Sequence, residues 1–418
     1  MMKRVGKAVA SRKYELAIFA MLILNGYLLK IKTGMGLAVW VQPFYALSYK
    51  YGFVSKALIG QITNIIFPRY IPMNGILVIV NLFTVLLCVA IAMFMGNLLK
   101  MAEKRNKKKE MYILVLLYLV SPGNVSTYFA SGFSGRLEIF IAALVLLGVY
   151  LINKGLKTSA SWFALAVICI VSNAIHHVFI FIAFPIILAL VIYNLYESGF
   201  ESKTMKYALL LCSVTCISFL YFQFFASIGI ENVDVLVETL SERTDLIVGK
   251  TPLYIEYFAS AAELTFGTMS RHMPELLIIF LINIILLSPL LGSFVFIWRK
   301  AMSYCSNKNE KTMLILMQLS GLLFVPAFVL TIDWGRWSVW YISFQFVIIF
   351  TLWAKQFSPI LLAIQNFIDR VSKDYVVLGL VFLYLFNLNG VSELYLLNQG
   401  LVFYLVIVKM GKAILAYL

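Results

Sequence analysis

The chain has 418 residues, of which 62% are hydrophobic and 13% charged, with a mean hydropathy of +0.92. Those values exclude a water-soluble globular domain, and no polar stretch is long enough to fold as a separate soluble unit. The formal net charge of +15 arises mainly from basic segments flanking apolar runs, so it indicates orientation in a membrane rather than nucleic-acid binding.

Apolar runs recur from end to end and are continuous rather than alternating, so they read as helices and not barrel strands. The expected architecture is all-α, a single polytopic integral membrane domain over 1–418 with about eleven or twelve spans. They are expected at roughly 14–30, 71–99, 111–122, 137–153, 161–175, 178–196, 207–229, 275–298, 312–331, 338–354, 375–389 and 400–418. The first run carries a basic flank, Lys3, Arg4, Lys7, Arg12 and Lys13, without a small-residue cleavage site. It is expected to be a retained anchor.

Basic clusters set the orientation. Lys100, Lys104, Arg105 and Lys107-Lys108-Lys109, the group Arg299, Lys300, Lys308 and Lys311, and the N-terminal tail fall on one side of the expected spans. By the positive-inside rule that side is cytoplasmic, as are both termini. The segment 30–70 then lies outside although it carries Lys30, Lys32, Lys50, Lys56 and Arg69 and no acid. Within it, Phe53–Phe67 has helical spacing, with Val54, Leu58, Ile62 and Ile65 on one face and Lys56, Gly60 and Asn64 on the other. A helix in the outer interface is expected, and Lys56 serves there either lipid headgroups or a phosphate-bearing substrate.

Arg136 and Glu138 open the next outward site after the Ser131–Gly135 turn, and His176-His177 occupy another. The long outer loop 230–274 begins acidic, continues through Tyr254, Tyr257 and Phe258, and ends on Arg271-His272. Loops of that length are lids, binding loops or solvated connectors. Aromatic rings beside carboxylates suit sugar rings, which stack on one face and hydrogen-bond at the edge. Asp333-Trp334-Gly335-Arg336-Trp337 follows, an acid, a base and two indoles between apolar runs. Charges at the mouth of membrane helices are expensive and mark functional sites, although an acid and a base one turn apart also neutralise each other. Every His of the chain is expected on this outer face, which is where chemistry is expected. The five cysteines are scattered, and no phosphate-binding GxxxxGK[ST], HExxH, Asp-x-Asp or GxSxG motif occurs. No metal ion, cofactor or nucleic acid is expected.

In size, number of spans, cytoplasmic termini, the longer outer loop and the outward arginines Arg136, Arg271 and Arg336, the whole chain resembles the bacterial O-antigen polymerase family. The resemblance implies a glycosyltransferase of the bacterial inner membrane acting on undecaprenyl-pyrophosphate-linked oligosaccharide at the periplasmic face, with a chain-length regulator as partner. It implies a base among Asp333, Glu138 and His177, and pyrophosphate binding by Arg336, Arg136 and Arg271 with Lys56 beside them. His176, His272, Trp337, Tyr254 and Tyr257 would complete the substrate site. An O-antigen ligase, another lipid-linked-sugar glycosyltransferase and a lipid-oligosaccharide flippase are the alternatives. A flippase would place charges mid-helix along a central cavity and show two similar halves; the sequence shows neither.

Overall fold

The computed structural model describes residues 12–33, 36–129, 133–259, 269–331 and 333–389. It is built from helices; among the described residues no strand forms, and Ile71 and Thr244 make one isolated bridge. Among the described residues, seven helical stretches are long and apolar enough to cross a membrane: Lys13–Ile31, Met73–Lys104, Lys108–Phe129, Ser202–Phe225, Leu277–Ser303, Lys308–Val329 and Trp334–Ala354. The chain is therefore an all-α polytopic membrane protein. Helices occupy eleven of the twelve stretches expected to span; the twelfth, 400–418, lies outside the described residues.

In chain order the elements are α1 (Lys13–Thr33), α2 (Gln42–Ala46), α3 (Ala57–Ile66), α4 (Met73–Lys104), α5 (Lys108–Val120), α6 (Glu138–Lys154) and α7 (Ser159–Ile175). They continue as α8 (Phe184–Glu197), α9 (Ser202–Leu220), α10 (Val233–Ser241), α11 (Lys250–Tyr257) and α12 (Met269–Ser303). The series closes with α13 (Lys308–Leu319), α14 (Phe324–Leu330), α15 (Trp334–Ala354), α16 (Ser358–Val371) and α17 (Tyr375–Asn387). The 32 residues of α4 extend about 48 Å at roughly 1.5 Å each. That exceeds a hydrocarbon core of about 30 Å, so α4 tilts or projects beyond it.

Two spans form the centre. The apolar windows of Lys108–Phe129 and Trp334–Ala354 are each 78% buried, against 22% for Ser202–Phe225 and 28% for Leu277–Ser303. Around α5 and α15, Phe346 stacks on Phe350 and Tyr118 meets both rings edge-on. The outer helices present apolar side chains such as Leu209, Ile217, Ile278 and Ile285 outward, as lipid-facing surfaces do. Helix α16 is different. Its Ile360, Ala363, Ile364, Phe367 and Ile368 are buried on one amphipathic stripe packed against α12, so it lies along the bundle rather than completing a span.

The two ends of the bundle differ. At one end Lys100 pairs with Glu15, Lys108 with Glu103 at 2.6 Å and Lys355 with Glu197 at 3.1 Å, and the Arg105 guanidinium lies 5.0 Å from the Trp353 ring. At the other end the loops hold each other by backbone bonds: Ala38 N–H to Ser134 O, Lys56 N–H to Ala174 O, Ile71 N–H to Arg243 O and Gly229 N–H to Tyr51 O. Helix α3 belongs to this second end. Gly60 packs against the Leu47 carbonyl so closely that a Cβ there would overlap it. Asn64 Nδ2 donates to Ala46 O at 3.3 Å. The polar face of α3 thus faces protein, while Ile62, Ile65 and Ile66 face outward.

Candidate functional site

At the loop-rich end a charged centre forms from α6 and α15. Glu138 is the first residue of α6, and Asp333 caps α15 with its carbonyl accepting from Trp337 N–H at 3.2 Å. Arg336, in the first turn of α15, donates from Nη1 to Glu138 Oε1 at 2.7 Å and from Nη2 to Asp333 Oδ2. One guanidinium therefore joins two carboxylates from helices remote in sequence. Its Nε is buried and meets no acceptor among the described residues. Arg136, Glu138 and Arg336 are only 3%, 3% and 6% exposed, while the Asp333 side chain keeps 22% of its surface open, so the centre meets solvent through Asp333.

The turn before α6 delivers Arg136 and Glu138. Gly135 takes a left-handed φ of 82°, a conformation costly for side-chain-bearing residues, and its carbonyl accepts from Tyr45 OH at 2.7 Å. Burial and the Arg336 cation push Arg136 down to about 10, with Glu138 and Asp333 acting in the opposite sense. Arg136 remains a cation at neutral pH. The indoles beside Arg336 are used internally. Trp334 donates to Phe328 O at 2.7 Å and Trp337 to Thr331 Oγ1 at 2.6 Å, tying the turn between α14 and α15. Trp337 is 1% exposed and lies under the Arg336 guanidinium at 4.8 Å. It offers no face to a sugar, contrary to the expectation from sequence, because its amphipathic ring is consumed in packing.

A second charged group sits at the same end. Lys56 caps α3 with a left-handed φ of 70°, is buried, and pairs with Glu256 of α11. Its ammonium also lies 4.7 Å from the Phe44 ring centroid. The exposed cationic wall expected at Lys56 is thus absent in this conformation: the left-handed cap turns the residue inward, toward an acid from the long loop. Glu256 Oε1 is 3.7 Å from His177 Nδ1. Next to it, Tyr257 OH donates to Ser55 O at 2.7 Å, and Ser55 Oγ accepts from His177 N–H at 2.9 Å.

The histidines link the two groups. Their rings are 5.2 Å apart. Burial, together with the positive charges of Lys56, Arg336 and Arg136, holds His176 well below the ordinary histidine value. Burial and Lys56 also lower His177 despite the opposing Glu256 carboxylate. Both rings are neutral at pH 7, and His176 Nδ1 accepts from Val178 N–H at 3.3 Å, which puts its proton on Nε2. For Glu256, burial acts to raise the carboxyl, but Lys56 and His177 outweigh it and bring it below the usual value.

Arg136, Glu138, His176, His177, Asp333, Arg336, Lys56 and Tyr257 therefore gather at one end. Tyr254 is 40% exposed and is the ring on α11 open to a ligand. Arg271 and His272 fall in the first turns of α12, and their side chains lie outside the described residues. Among the described residues no group of three or more His, Cys, Asp or Glu is arranged to hold a metal ion. Sequence reading missed Glu256. Its signal was present: an acid three residues after Leu253, on the face that α11 buries, where a carboxylate requires a partner.

Comparison with protein-family models, with curated proteins and with solved structures returns no match.

Proposed function

We propose that this chain is a polysaccharide polymerase, a glycosyltransferase that joins lipid-pyrophosphate-linked oligosaccharide repeats at the bundle end holding Arg336. The supporting observation is the convergence of Glu138 and Asp333 on one Arg336 guanidinium, beside Arg136, at the mouth of an apolar bundle. Desolvating three charges, Arg136, Glu138 and Arg336, is costly, and with Asp333 this set contains what the reaction needs: a carboxylate base and cations for a leaving pyrophosphate.

In the proposed reaction an acceptor sugar hydroxyl attacks the donor's anomeric carbon. The new C–O bond forms as the bond to pyrophosphate breaks, a carboxylate takes the hydroxyl proton, and lipid pyrophosphate leaves with its electron pair. A carboxylate bound to guanidinium is a weak base. Pyrophosphate competing for Arg336 would free Asp333 or Glu138 to accept the proton, so donor binding would activate the base. Arg136 would share the pyrophosphate charge. The neutral histidines and Tyr254 supply hydrogen bonds and a stacking face for sugar.

The basic residues at the opposite end, from Lys100 to Lys109, support a cytoplasmic assignment for that end and for both termini. Arg336 then faces the periplasm of a bacterial inner membrane. Undecaprenyl-pyrophosphate oligosaccharide would be the substrate and a chain-length regulator the partner. The test is a lipopolysaccharide gel of cells carrying Arg336→Ala or Glu138→Gln at wild-type protein level. Loss of long chains with single repeats retained on the lipid core is expected. Loss of every repeat would indicate a ligase instead, and a normal ladder from both variants would overturn the reading.

A further inference from the structure

A separate cavity lies at the bundle end opposite Arg336. It is a half-open cleft of about 560 Å³, within the range of roughly 300–1,000 Å³ usual for small-molecule sites. Its position follows from α15, which starts beside Arg336 and delivers Lys355 to this cavity after 21 helical residues, about 31 Å at roughly 1.5 Å per residue. That length is one hydrocarbon core, so the cavity sits at the other membrane–water boundary.

Five helix ends converge there. The C-terminal end of α6 and the turn after it contribute Lys154 and Lys157, and the end of α8 contributes Glu197. The turn into α9 supplies Glu201 and Lys203, and Lys355 closes the ring. Both connecting turns use left-handed backbone, at Gly155 (φ 90°) and at Gly199 (φ 64°) with Phe200 (φ 59°). These turns set the lysines around a common space.

The floor is aromatic and fixed. Trp162 Nε1 donates to Leu156 O at 2.9 Å, its ring stacks on Tyr207 at 5.9 Å, and Tyr207 OH is 2.7 Å from Ser159 Oγ.

Charge identifies the ligand class. Four lysines face two glutamates, and Glu197 is already paired with Lys355 at 3.1 Å. Lys154 lies 5.3 Å from the Tyr150 ring. Lys157 and Lys203 are exposed and, among the described residues, make no ion pair. The hydroxyls of Ser198 and Thr204 also line the space. Mobile ammonium groups with hydroxyl donors suit a phosphate, and a basic pocket between helices at a membrane boundary suits an anionic lipid headgroup. Exposed Phe163 and Phe200 adjoin the lining residues Trp162 and Glu201 and provide apolar flanks for acyl chains.

We propose that the cavity bounded by Lys154, Lys157, Lys203 and Lys355 is a binding site for a phosphate-bearing anion, taken from the headgroup of an anionic lipid or from solution. The site is distinct from the Arg336 centre and does not depend on that centre's function.

The test uses the purified full chain in phosphatidylcholine nanodiscs containing a minority of phosphatidylglycerol. Native mass spectrometry of the released protein counts retained phosphatidylglycerol, and equilibrium dialysis with labelled inorganic phosphate measures binding from solution. Lys157→Gln with Lys203→Gln removes two exposed cations without exposing a buried partner. The lipid source predicts about a tenfold loss of retained phosphatidylglycerol in this variant, and the solution source predicts the same loss of phosphate binding. Lys157→Arg with Lys203→Arg should restore either one. If the Gln variant binds both probes as well as the wild type, the site does not exist.

Discussion

Arg336 is shared by two acids, which gives the charged centre a particular response to mutation. Arg336→Ala leaves Glu138 buried without its cation, a change that costs about 3–5 kcal/mol when a buried pair is broken from one side. Adding Glu138→Ala removes the stranded charge, so the double variant should unfold at a higher temperature than Arg336→Ala alone in the same detergent. Additive losses would show that the two side chains are not coupled. The histidines give a second prediction. His176 and His177 titrate below their ordinary value in the folded protein, so the unfolded chain takes up protons first as pH falls. Stability should be full above about pH 6.5 and decline below it. The lowered Glu256 carboxyl adds a further decline on descending through about pH 4.5. Thermal melts from pH 8 to 4 should show a falling midpoint, and a flat profile would contradict the lowered titration of His176 and His177. Much of the centre was legible in sequence, since Asp333, Arg336, Arg136 and Glu138 are conspicuous among apolar neighbours. The inward turn of Lys56 and its partner Glu256 were not. Local spacing cannot show which distant acid a buried lysine will meet.

Among the elements, α3 depends most on a single atom. The Cβ introduced by Gly60→Ala would overlap the Leu47 carbonyl oxygen, a rigid backbone group that cannot rotate away. The connection through α2 and α3 should then fail to pack, seen as loss of the monodisperse peak in fluorescence-detected size exclusion. Asn64→Ala only removes the bonds to Ala46 O and Gly60 O and should be tolerated at a cost of about 1 kcal/mol. Wild-type behaviour of the Gly60 variant would mean that α3 sits farther from α2. Spacing in Phe53–Phe67 correctly indicated a helix with Ile62 and Ile65 on one face. That its polar face would bury against α2 was not legible, because periodicity separates two faces without saying which one protein covers. Helix α16 was not expected as an element for a related reason: 14 amphipathic residues fall below the length of a span.

For the whole molecule, the decisive feature is that the two ends carry different charged groups. Single cysteines at Glu238 on α10 and Lys157 beside α7, both exposed, should react from opposite sides of the membrane once the five native cysteines are replaced. Under the proposed orientation an impermeant maleimide labels position 238 in intact cells and position 157 only after lysis. Labelling of both from outside would overturn that topology. Composition and run length were enough to show an all-helical membrane chain, because apolar residues in continuous stretches have few other stable forms. The convergence of the loops at one end depended on contacts between segments far apart in the chain. The pair of Lys56 and Glu256 spans 200 positions, and that separation has a consequence for synthesis. When Lys56 leaves the ribosome, its partner has not yet been translated. The segment around α3 must therefore wait, its ammonium hydrated or held by lipid phosphate, until α4 to α9 have entered the bilayer and α11 arrives. Assembly of this end is in that sense a late event, and a loop made well after the segment around α3 locks it.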